Sequence, residues 1–297
     1  MSIVEHLSEG NSIKGTARLT RADASTVRRL NRKSGQHGER FHDETVQDVS
    51  AKNLQADERH GYAGNKRQPA WEAEVIDPIS KFVISHVQGV RDEHLIRRLL
   101  TDAASRVSNP HQIALFTDGF ASYKTLFPQI FGYSYRPARQ GNRGRFPKLR
   151  YRIPRSAAHV RIIKHRQGQQ LTAVTIDFAH GSQKRIRQAL LDLGFRVPNT
   201  SIIERRNGTA RLMNATQTRK TLAFAKRDDT KCHRGWWALT VYNWCRPHRS
   251  LRQPLPHPIG KKRYAQRSPA KALGLADFIF SQAQILLSPV YPKTGWR

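Results

Sequence analysis

Acidic side chains are scarce in this 297-residue chain: 22 Asp and Glu stand against 52 Lys and Arg, a net charge of +30 at pH 7. An excess of that size goes beyond what solubility requires, and it makes a polyanion, nucleic acid first, the expected partner. Cysteine is scarcer still. Cys232 and Cys245 are too few for a disulfide framework and point to a reducing cytoplasm. With His233 and His248 they form a Cys-His…Cys-x-x-His arrangement that invites zinc, but adjacent Cys232 and His233 depart from the usual ligand spacing. Polar residues around a buried helix are the expected reading. No apolar run approaches the roughly 18–20 residues of a membrane span. The opening MSIVEHLSEGNS carries acids early and lacks the apolar stretch of a secretory signal. A cytoplasmic, nucleoid-associated protein with no membrane partner is expected.

The length favours two domains. Residues 4–32 read as three helices, with Ser12 capping the second and Asp23 the third. Ile13, Leu19, Val27 and Leu30 supply apolar contacts, and Ala17 is small where two helices would cross. This is the pattern of a helix-turn-helix DNA-binding domain over residues 1–36. Its recognition helix, Ala24–Arg32, offers Ser25, Thr26, Arg28 and Arg29 to DNA. Arg21 stands where such a turn usually has glycine. Residues 33–50 are polar without a sustained period, and a linker is expected over residues 37–50.

Strand-like patterning begins at Ala51. Leu54–Ala56 leads into Asp57, and AWEAEVID and KFVISHVQG alternate as a hairpin turning at Asp77–Ser80. A helix follows from Asp92 to Val107, then a short apolar strand ending in Asp118-Gly119, then a short helix over SYKTLFPQIF. Arg136–Arg155 holds seven arginines, one lysine and no acid, and reads as an extended loop tracking a phosphate backbone, with Arg143 and Arg145 among its DNA contacts. A hairpin turning near Gln167–Gln169 and the helix QKRIRQALLDL come next. Residues 51–250 are expected to form one α/β domain carrying a basic insertion at about 136–180. Its last helix is RGWWALTVYNWC, stopped by Pro247; residues 251–297 add a basic loop and a final helix, KALGLADFIFSQAQILL.

The chemistry is concentrated in Asn199–Lys220, NTSIIERRNGTARLMNATQTRK, which holds one carboxylate among several basic side chains. On a helix, Glu204, Asn207, Gly208 and Arg211 share a face. A mixed sheet with the first and fourth strands adjacent would bring Asp57 and Asp118 together, and a helix packed on that sheet would deliver Glu204. Three close carboxylates repel one another unless a divalent cation neutralises them. Magnesium or manganese fits oxygen ligands best, and two ions about 3.5–4 Å apart suit phosphoryl transfer. Asn207, Arg211 and Lys220 are expected to position DNA or the helix itself. Glu58 is expected to face away from Asp57 by strand alternation, and Asp77 is a rival for the first acid.

The phrases QADERHGYAGNKRQPAWEAEVID, FTDGFASYKTLFP, NTSIIERRNGTARLMNATQTRKTLAFAK, YNWCRPHRSLR and RSPAKALGLAD, in that order, resemble bacterial transposases of the insertion-sequence-one type. These belong to the DDE transposase and retroviral-integrase superfamily, and the resemblance covers roughly residues 51–280. It implies a ribonuclease-H-like mixed sheet with helices, preceded by the small helix-turn-helix. It places the catalytic and metal-binding triad on Asp57, Asp118 and Glu204. It also implies binding of double-stranded DNA at the ends of a mobile element, metal-dependent cleavage and strand transfer, and a homodimer or larger multimer. Relatives of that type carry a zinc-binding cysteine segment ahead of the helix-turn-helix, so a shortened reading frame, or one half of a split or frameshifted gene, is the matching expectation here. The competing expectation is a non-catalytic helix-turn-helix regulator built on a degenerate nuclease fold.

Overall fold

In the computed structural model, which describes residues 2–139 and 145–290, the alternating segments form one mixed α/β body. The chain begins with α1 (Ser2–Ser8), α2 (Ile13–Thr20) and α3 (Ala24–Thr45). The antiparallel meander β1 (Asn53–Arg59), β2 (Trp71–Ile76) and β3 (Val83–Gly89) follows, then α4 (Glu93–Arg106), β4 (Ala114–Thr117) and α5 (Ala121–Phe131). A small two-stranded ribbon, β5 (Tyr133–Tyr135) and β6 (Arg150–Arg152), flanks the residues left undescribed. The long hairpin β7 (Ala158–Gln167) and β8 (Gln170–Gly181) leads to α6 (Gln183–Leu193), α7 (Ser201–Met213) and α8 (Asp228–Thr240). A π-helical turn, Val241–Cys245, continues α8. The hairpin β9 (Gln253–Ile259) and β10 (Lys262–Ala265) and two short helices, α9 (Pro269–Leu273) and α10 (Gln282–Leu287), follow.

The main sheet has the order β3-β2-β1-β4-β7-β8. β1, β4 and β7 run parallel, and the other pairings are antiparallel. The period of two sorts its side chains. Leu54, Ala56, Ala73 and Val75 are buried with Leu95 and Leu99 of α4 and Phe127 of α5, each large apolar side chain contributing about 1.5–3 kcal/mol on burial. The opposite face lies under α7 and α8, where Gln55 accepts from the Ile203 amide and donates to the Asn199 carbonyl, both at 3.0 Å. Farther along that face, α6 covers Phe116, Val160 and Ile162 with Ile186 and Ala189.

The N-terminal helices differ from expectation. The Ser12 and Asp23 caps form as read, accepting from Gly15 and Ser25 amides at 3.0 and 2.6 Å. Arg21 takes the left-handed turn position itself, at φ 52°. Leu19, however, is 61% exposed and contributes nothing to a core. The stretch expected as a linker is helix: α3 continues unbroken to Thr45 and lies along α8. Its Gly-Ser-rich, polar sequence reads as a connector because the contact is made by small residues. Asn31, Ser34, Gly35 and Gly38 are buried against α8. A Cβ at Gly35 would stand 2.2 Å from the His233 carbonyl oxygen, and one at Gly38 2.5 Å from Thr240 Oγ1. Arg234, buried on α8, donates to the carbonyls of Leu7 and Asn11, and Trp237 Nε1 donates to the Val4 carbonyl at 3.2 Å. Residues 2–36 are therefore docked on the body of the chain.

Two C-terminal expectations are also corrected. The proline-rich loop is the hairpin β9–β10. Pro254, Pro256 and Pro258 fall at every second position, so their missing donors share one edge of β9, where no partner strand needs them. The expected final helix is two short ones, since Gly274 ends α9 at φ 88°.

The α3–α8 contact gives a test of sign. Alanine is worth up to about 1 kcal/mol more than glycine in a helix, so Gly35→Ala in a free linker would be neutral or stabilising. Against His233 the added methyl is expected to cost about 1–3 kcal/mol, seen as a melting temperature several degrees lower.

Candidate metal centre

Parallel pairing of β1 with β4, in the register Ala56↔Thr117, sets Asp57 and Asp118 side by side at the carboxyl ends of adjacent strands. Glu58 joins them: one carboxylate oxygen from each of Asp57, Glu58 and Asp118 lies within 4.8 Å of the others. Strand alternation does turn the Glu58 side chain to the other face, beside Tyr123. Because Asp118 sits just past the end of β4, Glu58 reaches it all the same, so the expectation that Glu58 stands apart is corrected.

Each carboxylate has a partner. Asp57 accepts from the Glu58 amide at 2.8 Å and from Asn207 Nδ2 at 2.7 Å. Asp118 accepts from the Phe120 amide at 2.9 Å. Arg91 bridges Glu58 and Asp118 at 3.1 and 3.3 Å, with its guanidinium over the rings of Phe120 and Trp71. The buried Tyr123 hydroxyl lies at hydrogen-bonding reach of the Glu58 carboxylate and favours its ionised form. Burial, then repulsion from Asp118, pushes Asp57 up to about 6. The same two causes push Glu58 up to about 7.

Glu204 reaches the same place from α7. It lines a cleft of about 530 Å³ with Asp57, Asp118, Arg91 and Lys164. Its carboxylate accepts from Thr200 Oγ1 at 2.6 Å and is ion-paired with Lys164, so it stands outside the tight group of three. Asp77, the rival first acid, is tied into its own turn by Ser80 and lies beside Ile76 at the far end of β2. It does not approach Asp118.

Behind Asp57 the sheet face is charged and buried. Arg59 donates to Asn207 Oδ1 at 2.8 Å and pairs with Glu72 and Glu74 at 3.1 and 2.7 Å. Arg206 of α7 pairs with Glu74 at 3.0 Å, and Lys231 of α8 with Glu72. Burial opposes ionisation of Glu72, but Lys231 and Arg59 outweigh it and hold the carboxyl down at about 2. Glu74 is likewise held well below the usual range despite burial, chiefly by Arg206 and Arg59.

Asn207, expected at DNA, is buried between Asp57 and Arg59 and serves the carboxylate instead. Arg211 is half-buried near Asp57 and Arg59, and burial lowers its pKa. Lys220 is exposed in a turn at φ 55°. Ser25, Arg28, Arg29 and Arg145 are exposed and Thr26 is half-buried; Arg143 lies outside the described residues. Cys232, His233, Cys245 and His248 form no candidate metal group among the described residues, and burial raises the two thiols to about 11 and about 12. Sequence reasoning missed Arg91, Lys164 and the acids Glu72 and Glu74. The last two alternate with apolar residues along β2, a pattern that reads as a solvated face. Among the described residues no helix is long and apolar enough to cross a membrane.

A scan against protein-family models finds no match, and a search of curated proteins finds no relative.

Because the folded values of Asp57 and Glu58 lie above the ordinary ones, the folded chain keeps protons that the unfolded chain releases. Their stabilising contribution is complete below the ordinary values and is lost as pH rises through about 6 for Asp57 and about 7 for Glu58. Glu58→Gln is expected to stabilise the metal-free protein by on the order of 2 kcal/mol at pH 8 and to have no advantage at pH 4. Millimolar magnesium or manganese should raise the wild-type melting temperature at pH 8 more than the variant's. Thermal melts across this pH range check both.

Proposed function

We propose that this chain is a DNA transposase of the DDE type, binding the ends of a mobile element and cutting and joining DNA with a divalent metal. The observation that carries the reading is the convergence of Asp57 and Asp118 from parallel neighbouring strands, with Glu204 brought to the same cleft by α7. The sheet order β3-β2-β1-β4-β7 with β1, β4 and β7 parallel supports a ribonuclease-H-like fold for residues 51–250. The charge of +30 supports DNA as substrate, and the exposed Ser25, Arg28 and Arg29 at the start of α3 support end binding by the N-terminal helices. On this reading two chains pair two element ends.

The donor set fits a hard cation: carboxylate oxygens only, one from each of three acids within 4.8 Å of the others, two of those acids resisting ionisation through burial and mutual repulsion. Asp57, Glu58 and Asp118 would hold magnesium or manganese, with Glu204 reaching a second position once it parts from Lys164. The metal supplies Lewis-acid charge to the phosphodiester. The rest falls to the chain. Water attacks phosphorus and the P–O3′ bond breaks, leaving a 3′-hydroxyl. That hydroxyl then attacks a target phosphodiester and displaces its 3′-oxygen. Asn207 and the Glu58 amide hold Asp57 in place through both steps. Arg91 and Lys164 neutralise the acids in the free protein, and a phosphate entering the cleft offers both cations a new partner.

Incubation with a labelled duplex carrying an element end and magnesium is expected to yield cleavage and joined product. Asp57→Asn, Asp118→Asn and Glu204→Gln should each lower the rate by about a thousandfold or more, without loss of DNA binding. Strand transfer that survives Glu204→Gln would sink the three-acid assignment. A mobility shift with no cleavage by the wild type would favour the non-catalytic regulator.

A further inference from the structure

α7 has two polar faces. Glu204 faces the carboxylate cleft, while Ile203, Asn207 and Ala210 are buried on the sheet. On the remaining side, Arg205 and Thr209 line a second cleft of about 550 Å³. Its other wall is Lys81 from the β2–β3 turn and the segment Arg246–Arg252 after the π-helical turn. No acid lines it. Arg246 reaches Glu9 at 3.7 Å, but among the described residues Lys81, Arg205, Arg249 and Arg252 have no carboxylate within ion-pair distance. Lys81 donates to Ser250 Oγ, which ties the turn to the segment.

The floor of this cleft is short of acceptors. Arg206 is 2% exposed, and its Nη1 has no hydrogen-bond partner. His248 Nε2 is also buried and unpartnered. Burial, with Lys81, Arg206 and Arg246 nearby, lowers His248 to about 4, so the ring is neutral at physiological pH. A buried donor left unpaired is costly, and an anion with several oxygens would satisfy both groups. The cleft is far larger than one phosphate. Its cations are strung along the segment from Arg246 through the 3-10 turn Arg249–Leu251 to Arg252, and the apolar surfaces of Ile202, Leu212 and Pro247 lie among them. Those features suit the sugar-phosphate backbone of a strand.

The geometry points to a second nucleic-acid site: a cleft that grips the phosphodiester backbone of a DNA strand behind α7, with that helix as the wall between it and the carboxylates. The inference rests on the reading that the chain acts on DNA. α7, roughly 10–12 Å across with its side chains, spaces the two clefts by about two backbone phosphates. A strand passing from one to the other would press on both sides of the helix that carries Glu204.

The test is binding of a fluorescent DNA duplex and of single strand to the full chain in EDTA, where no cleavage occurs. Arg205 and Arg249 are exposed and carry no structural bond. The double variant Arg205→Gln/Arg249→Gln is expected to keep the wild-type melting temperature and to weaken binding about tenfold at 150 mM salt. The slope of log K against log salt should fall by about 1.5, as for two lost phosphate contacts. A control, Lys184→Gln/Arg187→Gln on α6, removes equal charge elsewhere and should change affinity far less. The proposal is overturned if the first pair binds as wild type, or if the control costs as much. It is also overturned if inorganic phosphate or a nucleoside triphosphate binds with dependence on Arg205 and Arg249 while DNA affinity does not change. Cleavage by a pair variant that binds normally would sink this site and leave the transposase reading standing. Pair-dependent binding without cleavage by the wild type would do the reverse.

Discussion

The ion pairs of Arg59 with Glu72 and Glu74 are the constraint on which the site depends. They lie on the sheet face beneath α7 and α8, and each helix adds one cation, Arg206 to Glu74 and Lys231 to Glu72. Removing one member of a buried pair leaves an uncompensated charge at a cost of about 3–5 kcal/mol. Neither helix can therefore shift without exposing that cost. α7 buries few large apolar side chains, chiefly Ile203 and Met213. Its seat on the sheet is fixed by charge, and with it the reach of Glu204 into the cleft.

The same network governs Asp57. Three cations, Arg59, Arg206 and Lys231, face two acids, Glu72 and Glu74, which leaves positive charge in excess. Asn207 conducts part of that excess to Asp57 by donating to the carboxylate while accepting from Arg59. The connection is incomplete: burial and Asp118 still push Asp57 up to about 6. A carboxylate in that condition is partly satisfied by its scaffold and partly in need of an external cation. Glu58 is further in the same direction, although Tyr123 and Arg91 both favour its charged form.

Much of the fold was legible because its signals are local. The β2–β3 hairpin, the β7–β8 hairpin, the caps Ser12 and Asp23, Asp57 within β1 and Asp118 at the end of β4 follow from period and turn chemistry. The failures share a cause. Gly35 and Gly38 look like linker residues until α8 is laid against them. Glu72 and Glu74 look solvated until Arg206 and Lys231, more than a hundred residues away, arrive. Glu58 looks remote from Asp57 until Asp118 is seen to lie past its strand end. In each case the residue's meaning is set by a partner distant in sequence, and alternation alone cannot name that partner.

The scarcity of acids now has a structural sense. Most of the cationic surface is unopposed, while the buried acids other than Asp77 gather on one sheet face and at one cleft mouth. Exposed acids such as Glu9, Glu93 and Asp229 are paired with arginines, whereas Asp57, Glu58 and Asp118 crowd one another; on the proposed reading a phosphate shares that space with them only with a cation between. On the proposed reading, local acid density set against a basic exterior would make metal and nucleic acid bind more tightly together than either binds alone. The ion pairs that Arg91 and Lys164 make in the free protein are the interim form of that same neutralisation.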